Sequence, residues 1–252
     1  MIEVYGLIKT YPGFVLSIDK LEISNELVVL LGPNGSGKST LMRILAGILK
    51  PDGGEVKVLG SDPAEDPRVR ARIAYVPGEP SLYDHLTAEE HLYLAEDLRK
   101  TKYSDKAREL AEILGFPKDS RNKLVSELSS GQRRILSIAI AFGHPFEIAI
   151  VDEVTAFLDP AAIATFIEMI KEYKKKGKTM LISTHILPIV ELLEPDRVLV
   201  IARGSIVGSG SLEELSKNKD LLEVFSELTG EEIPIDKIRE LVGERYAALC
   251  LV

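Results

Sequence analysis

Apolar residues in the first third of the chain come in short runs that alternate with polar ones or fill every position, the signature of strands. Ile2 to Ile8, Val15 to Ile23 and Leu27 to Leu31 are such runs, separated by the turn-forming pairs Pro12-Gly13 and Ser24-Asn25. A helical spacing begins at Leu41 and reaches Leu49. After the turn Pro51-Asp52-Gly53-Gly54, strand runs follow at Val56 to Leu59 and Ile73 to Val76. From about Thr87 to Phe142 the pattern is helical. Thr87 precedes the run Ala88 to Arg99, and Glu90 stands three residues on, so the two side chains can satisfy the free N–H groups of the helix start. Further helices fit Ser104 to Leu114 and Gly131 to Phe142. Strand runs return at Glu147 to Val151, Lys178 to Ser183 and Arg197 to Ala202, with helical segments between them. One of those helices starts after Pro160 and ends in Lys174, Lys175 and Lys176, cations that suit the negative end of a helix dipole. Strands separated by helices predict parallel β-α units, here one α/β domain interrupted by a helical insert. Near the end of the chain, Ile235 to Leu241 fits a short helix and Ala247 to Val252 a terminal strand or contact surface.

Composition narrows the functional classes. A chain of 252 residues, 45% hydrophobic and 28% charged, can bury a substantial core as one large domain or two small ones. Its net charge of −8 argues against nucleic acid as the main partner, because phosphate backbones reward basic faces. A lone cysteine, Cys250, cannot close an internal disulfide, which fits a reducing compartment. The opening Met1-Ile2-Glu3-Val4 has an acidic residue where a secretion signal carries basic ones, and no apolar run approaches the roughly 18 residues that a membrane span needs. The expectation is a cytoplasmic protein that does not cross a bilayer by itself.

The chemistry begins between the strand run Leu27 to Leu31 and the helical run from Leu41. There the sequence Gly32-Pro33-Asn34-Gly35-Ser36-Gly37-Lys38-Ser39-Thr40 fits the pattern G-x-x-x-x-G-K-[ST]. Its glycines let the backbone curl so that N–H groups point inward at phosphate oxygens, and the positive end of the next helix faces the same anion. Lys38 can reach the β- and γ-phosphates and the Ser39 hydroxyl can ligate Mg²⁺. Such loops serve kinases, GTPases, helicases and transport ATPases. The segment Glu147-Ile148-Ala149-Ile150-Val151-Asp152-Glu153 narrows the choice, because an apolar strand ending in two acids is costly unless the acids have a task. Asp152 can hold Mg²⁺ opposite Ser39, and Glu153 can polarise an attacking water as general base. A third segment, Leu128-Ser129-Ser130-Gly131-Gln132, opens the helix Gly131 to Phe142 with hydroxyls and free N–H groups, again an anion-binding combination.

In this order the motifs resemble those of the ATP-binding cassette ATPases, the nucleotide-binding subunits of ABC transporters. The resemblance spans about residues 1–215 and implies a P-loop NTPase (RecA-like) core with an N-terminal antiparallel β subdomain and an inserted α-helical subdomain at about 79–145. Residues 216–252 are then a C-terminal extension of uncertain role. Gly32 to Thr40 looks like the Walker A loop and Ile148 to Glu153 like the Walker B strand with its catalytic glutamate. Leu128 to Gln132 looks like the LSGGQ signature, with Ser130 for the first glycine. Ala156-Phe157-Leu158-Asp159 is similar to the D-loop, which includes Asp159, and His185 in Ser183-Thr184-His185 fits the switch histidine. Tyr11 is placed like the aromatic that stacks on adenine. The resemblance implies ATP and Mg²⁺ as cofactors and a second ATP-binding subunit, a homodimer mate or a related chain. Ser129, Ser130, Gly131 and Gln132 would then touch the nucleotide bound by that partner, and His185 would fix the γ-phosphate beside Glu153.

Two departures stand out. The family's glutamine after the strand Ile73 to Val76 is replaced by Gly78, which has no side chain to offer, with Glu79 next as a candidate substitute. In the D-loop region, Ala156 and Phe157 replace a small polar residue and a glycine, and Val154 replaces a common proline. The segments Glu79 to Thr87 and Leu222 to Gly230 are most similar to ABC-2-type exporter ATPases, whose integral membrane permease is a separate chain, with Leu82, Tyr83 and Leu86 as an apolar docking surface. This implies a peripheral position on the inner face of the cell membrane. The competing class is a soluble ABC ATPase acting in assembly, of the iron–sulfur type. A GTPase is disfavoured, because Asn122-Lys123-Leu124-Val125 lacks the aspartate that reads guanine.

Overall fold

Alternation along the early strands gives their sheet a single buried face, whereas the strands buried on both faces separate two cores. The computed structural model describes residues 1–153, 155–216 and 221–230. Val154, Cys250, and the helix and terminal strand expected at 235–241 and 247–252 lie outside the described residues. The chain runs through β1 (Ile2–Tyr11), β2 (Phe14–Ile23), β3 (Leu27–Leu31), α1 (Lys38–Leu45), β4 (Gly53–Val58), a short α2 (Pro67–Arg70) and β5 (Ile73–Val76). Three helices follow: α3 (Ala88–Arg99), α4 (Ser104–Ile113) and α5 (Ser130–Gly143). The chain then returns to strands with β6 (Ile148–Asp152), α6 (Pro160–Lys175), β7 (Thr179–Thr184), α7 (Leu187–Leu193), β8 (Arg197–Ala202) and β9 (Ser205–Gly210). It continues into α8 (Leu212–Ser216) and α9 (Leu221–Thr229).

Strands β2, β1 and β4 make an antiparallel sheet in that order. A second sheet has the order β5-β6-β7-β3-β8-β9, parallel from β5 to β8 and closed by an antiparallel β9. In β3, Leu27, Val29 and Leu31 face a core shared with α3, α5 and α6, while Val28 and Leu30 face a core shared with α1 and the antiparallel sheet. Strand β6 divides likewise, Ala149 and Val151 against Ile148 and Ile150. A strand buried on both faces reads as an unbroken apolar run, which is why β3 and β6 show no polar interruption.

Among the described residues the expected elements are present, several with shifted ends. Helix α1 starts at Lys38 and stops at Leu45, short of Leu49, because Gly47 turns left-handed (φ 73°) against the Pro63 carbonyl; a Cβ there would lie 2.1 Å from that oxygen. The Thr87–Glu90 capping box is formed, with Thr87 Oγ1 accepting from the Glu90 N–H and Glu90 accepting from the Thr87 N–H. Strand β9 and helix α2 were not anticipated, whereas α7 fills the helical segment expected between Ser183 and Arg197; β9 is half exposed and only six residues long, so its periodicity is weak.

His144, at the end of α5, is 1% exposed and packs its ring edge-on to Tyr103 and Phe146 while Nδ1 donates to the Pro145 carbonyl at 2.7 Å. Burial, helped by the nearby Arg99 charge, pushes its pKa down from 6.5 to about 4. The unfolded chain therefore binds the proton first. Stability is full above pH 6.5 and falls as the pH drops towards 4, by an amount on the order of 3 kcal/mol from this side chain alone. His144→Asn keeps a donor for Pro145 and removes the titration. The wild-type minus variant unfolding free energy, from urea melts at several pH values, should fall as the pH drops, and only between those limits.

Candidate functional site

The phosphate loop leaves β3 at its carboxyl end and feeds α1 directly. Gly32 admits no side chain, since a Cβ would sit 2.3 Å from the Ile201 carbonyl oxygen and 2.8 Å from Ser36 Oγ. Gly35 (φ 78°) and Gly37 (φ 108°, the residue before α1) supply the left-handed turns that curl the loop. The β8–β9 turn braces the loop from behind, with the Gly204 N–H donating to the Ser36 carbonyl at 3.0 Å. Within the loop, Lys38 is buried, and its Nζ donates to the carbonyls of Gly32 (2.8 Å) and Pro33 (3.0 Å).

The end of β6 meets this loop. Glu153 Oε1 lies 3.3 Å from Lys38 Nζ and 3.2 Å from His185 Nδ1. Burial raises the Glu153 carboxyl, but the Lys38 charge and hydrogen bond, joined by His185, outweigh it and hold the group below the usual carboxylate value. Glu153 therefore stays ionised at neutral pH. Its backbone is left-handed (φ 46°), with its N–H bonded to Ser183 Oγ (3.1 Å) and the Ser183 carbonyl (3.3 Å). Asp152, 1% exposed, accepts from Ser183 Oγ at 2.6 Å through Oδ1, while its Oδ2 is buried without a partner among the described residues. Ser36 Oγ is also buried and unpartnered among them. A buried carboxylate oxygen with nothing to bond among the described residues is the donor chemistry that a hard divalent cation fits.

A cavity of about 280 Å³ is lined by Phe14, Asn34, Gly35, Gly37, Lys38, Ser39, Thr40 and Glu153. It adjoins a second cavity, of about 420 Å³, between the loop and the β8–β9 turn, with Phe14, Asn34 and Gly35 common to both. A larger, mostly apolar cavity of about 580 Å³ between α4 and α6 lacks the loop, and its Lys176 shares the lining with Glu168 and Glu172.

The structure thus gathers Lys38, Ser39, Asp152, Glu153 and His185 at the carboxyl ends of β3, β6 and β7. Other expected residues lie apart from the phosphate cavity. Tyr11 ends β1 with its ring 6.5 Å from that of Phe14, and Phe14 rather than Tyr11 forms the cavity wall. Ser129 and Gln132 form a capping box at the start of α5, where Ser129 Oγ accepts from the Gln132 N–H (3.2 Å) and Gln132 Oε1 from the Ser129 N–H (2.9 Å). Ser129 and Ser130 are exposed, while Gly131 is packed so closely that a Cβ would lie 2.8 Å from the Phe157 carbonyl oxygen. Asp159 caps α6, its Oδ1 accepting from the Ala162 N–H at 2.8 Å. Gly78 sits against Asp152, and Glu79 is exposed and lines neither cavity. Sequence reasoning missed Phe14, Ser183 and Arg134. Ser183 was legible in principle, as a polar residue ending the apolar strand β7 next to Asp152; Arg134 left no signal.

Comparison with known proteins places this geometry. The ABC transporter family profile matches residues 20–156. The chain is 35% identical over 227 residues to the ABC transporter ATP-binding protein NatA of Bacillus subtilis, covering 87% of this chain and 90% of that one. It is 33% identical over 224 residues to the daunorubicin/doxorubicin resistance ATP-binding protein DrrA of Streptomyces peucetius, covering 86% and 67%. Among solved structures, the dimeric bacterial ABC transporter cassette MJ0796 superposes with a TM-score of 0.75 at 25% identity, over 84% of this chain and 99% of that one. A phosphate loop with a buried lysine, facing a strand that ends in two acids, is what this family builds around a nucleotide, and the chain belongs to the ABC transporter family as an ATP-binding, ATP-hydrolysing subunit.

Proposed function

We propose that the chain is the motor of an exporter: it closes with a second ATP-binding subunit, a copy of itself or a related chain, around two ATP molecules and drives a separate integral membrane permease. The observation that carries this reading is the meeting of Lys38 Nζ, Glu153 Oε1 and His185 Nδ1 within 3.3 Å at the mouth of the phosphate loop. Lys38 spends its hydrogen bonds on its own loop carbonyls, contacts that a triphosphate can replace with stronger, charge-assisted ones. Once Lys38 turns to the phosphates, Glu153 loses the cation that holds its pKa down and becomes a stronger base. Glu153 then takes a proton from the water that attacks the γ-phosphorus. The bond from that phosphorus to the bridging oxygen breaks, and ADP and phosphate leave. His185 orients the γ-phosphate and the base. Ser39 and Asp152 would hold Mg²⁺, which when bound supplies positive charge against the phosphate oxygens. Phe14 lines both cavities, and Tyr11, its ring 6.5 Å from that of Phe14, would stack on the base.

The signature residues Ser129 to Gln132 lie outside the cavity of their own chain, which supports a role against a nucleotide held by the partner. Residues 1–215 would act as the motor, with a helical insert at about 79–145 receiving the permease. Tyr83, 58% exposed and stacked on His91, is the accessible part of that face; Leu82 and Leu86 are half-buried beneath it. Kinship with transporter subunits such as NatA and DrrA favours transport over a soluble assembly role, and the resistance named for DrrA favours export. Such a subunit would sit on the cytoplasmic face of the membrane; among the described residues no helix is long and apolar enough to cross it.

Lys38→Ala should lower turnover at least about a hundredfold and weaken nucleotide binding, read by phosphate release and fluorescent-nucleotide titration. Unchanged values would remove Lys38 from the site. Glu153→Gln should keep ATP affinity, lose about two orders of magnitude in turnover and accumulate an ATP-bound dimer. Size-exclusion chromatography with light scattering reads that dimer, and a variant that stays monomeric in ATP would contradict closure around nucleotide. Affinity capture from detergent-solubilised membranes of the native cell should recover a polytopic membrane protein; recovery of soluble partners alone would argue for the assembly role.

A further inference from the structure

Arg134 is a fully buried side chain, 0% exposed, yet it bonds directly to no carboxylate oxygen among the described residues. Its donors go to backbone instead. Nη1 donates to the Pro77 carbonyl, and Nη2 to the carbonyls of Glu153 (2.5 Å) and Asp152 (3.4 Å). Nε is buried with no acceptor among the described residues. Burial lowers the guanidinium pKa, and the Asp152 and Glu153 charges oppose that shift. A charge this deep costs desolvation, and the backbone carbonyls that the guanidinium bonds are what offset it.

What the guanidinium does is tie α5 to two other segments, the Pro77 loop and the end of β6. It stands in the second turn of α5, whose first turn is the Ser130–Gln132 anion-binding end. It holds Pro77, next to Gly78, which has no side chain of its own and lies so close to Asp152 that a Cβ would be 3.3 Å from Oδ2. It also holds the carbonyl of Glu153, a residue in a left-handed conformation that non-glycine residues adopt only when their surroundings fix it. Ser183 pins the N–H side of that residue and Arg134 the carbonyl side. Without the second clamp, the peptide can rotate and carry the carboxylate away from Lys38 and His185.

We propose that Arg134 is a positioning residue for hydrolysis: it fixes the peptide that carries Glu153 and ties both it and the Pro77–Gly78 loop to the helix whose first turn meets the partner's nucleotide. Displacement of α5 then displaces the base. This rests on Glu153 being the water-activating base, and the experiment separates the two claims.

Wild type, Arg134→Met, Arg134→Lys and Glu153→Gln are compared as full-length chains. Each is measured for ATP turnover per nucleotide-binding site, for KM, and for affinity for a fluorescent ATP analogue. Arg134→Met should bind nucleotide within about threefold of wild type while kcat per site falls about ten- to a hundredfold, the scale of a misplaced catalytic group. Arg134→Lys should recover part of the loss, because one ammonium reaches some of the three carbonyls but cannot span them all. A purely structural role would reduce the number of binding sites and leave kcat per site unchanged, and that result overturns the proposal. Equal loss of affinity and kcat overturns it too. Should Arg134→Met fail to fold, the lysine variant decides, and kcat per site within about twofold of wild type sinks the idea. Turnover lost in Glu153→Gln but intact in Arg134→Met rejects the Arg134 claim alone, whereas turnover insensitive to Glu153→Gln rejects both.

Discussion

Charges buried at the carboxyl ends of neighbouring parallel strands are the constraint on which this structure depends. Lys38 is 4% exposed and Asp152 1%, and ions so far from water persist only where other groups replace their hydration. The phosphate loop supplies carbonyls to Lys38, and Ser183 supplies a hydroxyl to Asp152. Glu153 stands between them, ionised because Lys38 and His185 are near. Parallel pairing makes this possible: β6 lies beside β7, and β7 beside β3, all pointing the same way, so the three strand ends deliver their residues to one place.

The rest of the fold keeps those ends fixed. Two cores grip the parallel sheet from opposite faces, and the apolar side chains of α1 anchor the loop's exit in one of them. Backbone-to-backbone contact replaces side chains wherever the loop must pass closely, as at Gly32 against Ile201 and at Gly204 against Ser36. The site retains unspent capacity, in the unpartnered oxygens of Asp152 and Ser36, and in a lysine whose hydrogen bonds are to its own loop. These groups exchange internal partners for ligand without further rearrangement of the core, which suits repeated cycles of binding and release.

Much of the site was legible because its chemistry is local in sequence. Nine consecutive residues, Gly32 to Thr40, hold the loop, and Asp152 and Glu153 are adjacent, so spacing alone linked residue type to task. The strands β3, β5 and β8 fall where the hydrophobic runs place them, since burial on both faces leaves an unmixed apolar signal. Other positions carried little signal. Phe14 walls the phosphate cavity, because the β1–β2 hairpin decides which aromatic near its turn faces the loop. Gln132 was singled out for nucleotide contact and Asp159 as part of the D-loop, and within the chain their side chains also cap α5 and α6.

By itself the sequence determined the local devices: the glycine loop, the acid pair, the capped helices and the alternation that sorts residues between two cores. Each depends on neighbours within a few positions, where bond geometry and side-chain reach leave few alternatives. Only tertiary structure decided that Ser183 braces both acids and that Arg134 crosses to Pro77, contacts that span 30 and 57 positions. Such pairings follow from strand order and helix docking, which one-dimensional spacing does not encode. A buried arginine bonded to backbone carbonyls has no partner residue type to betray it, so the chain's letters could not announce that link.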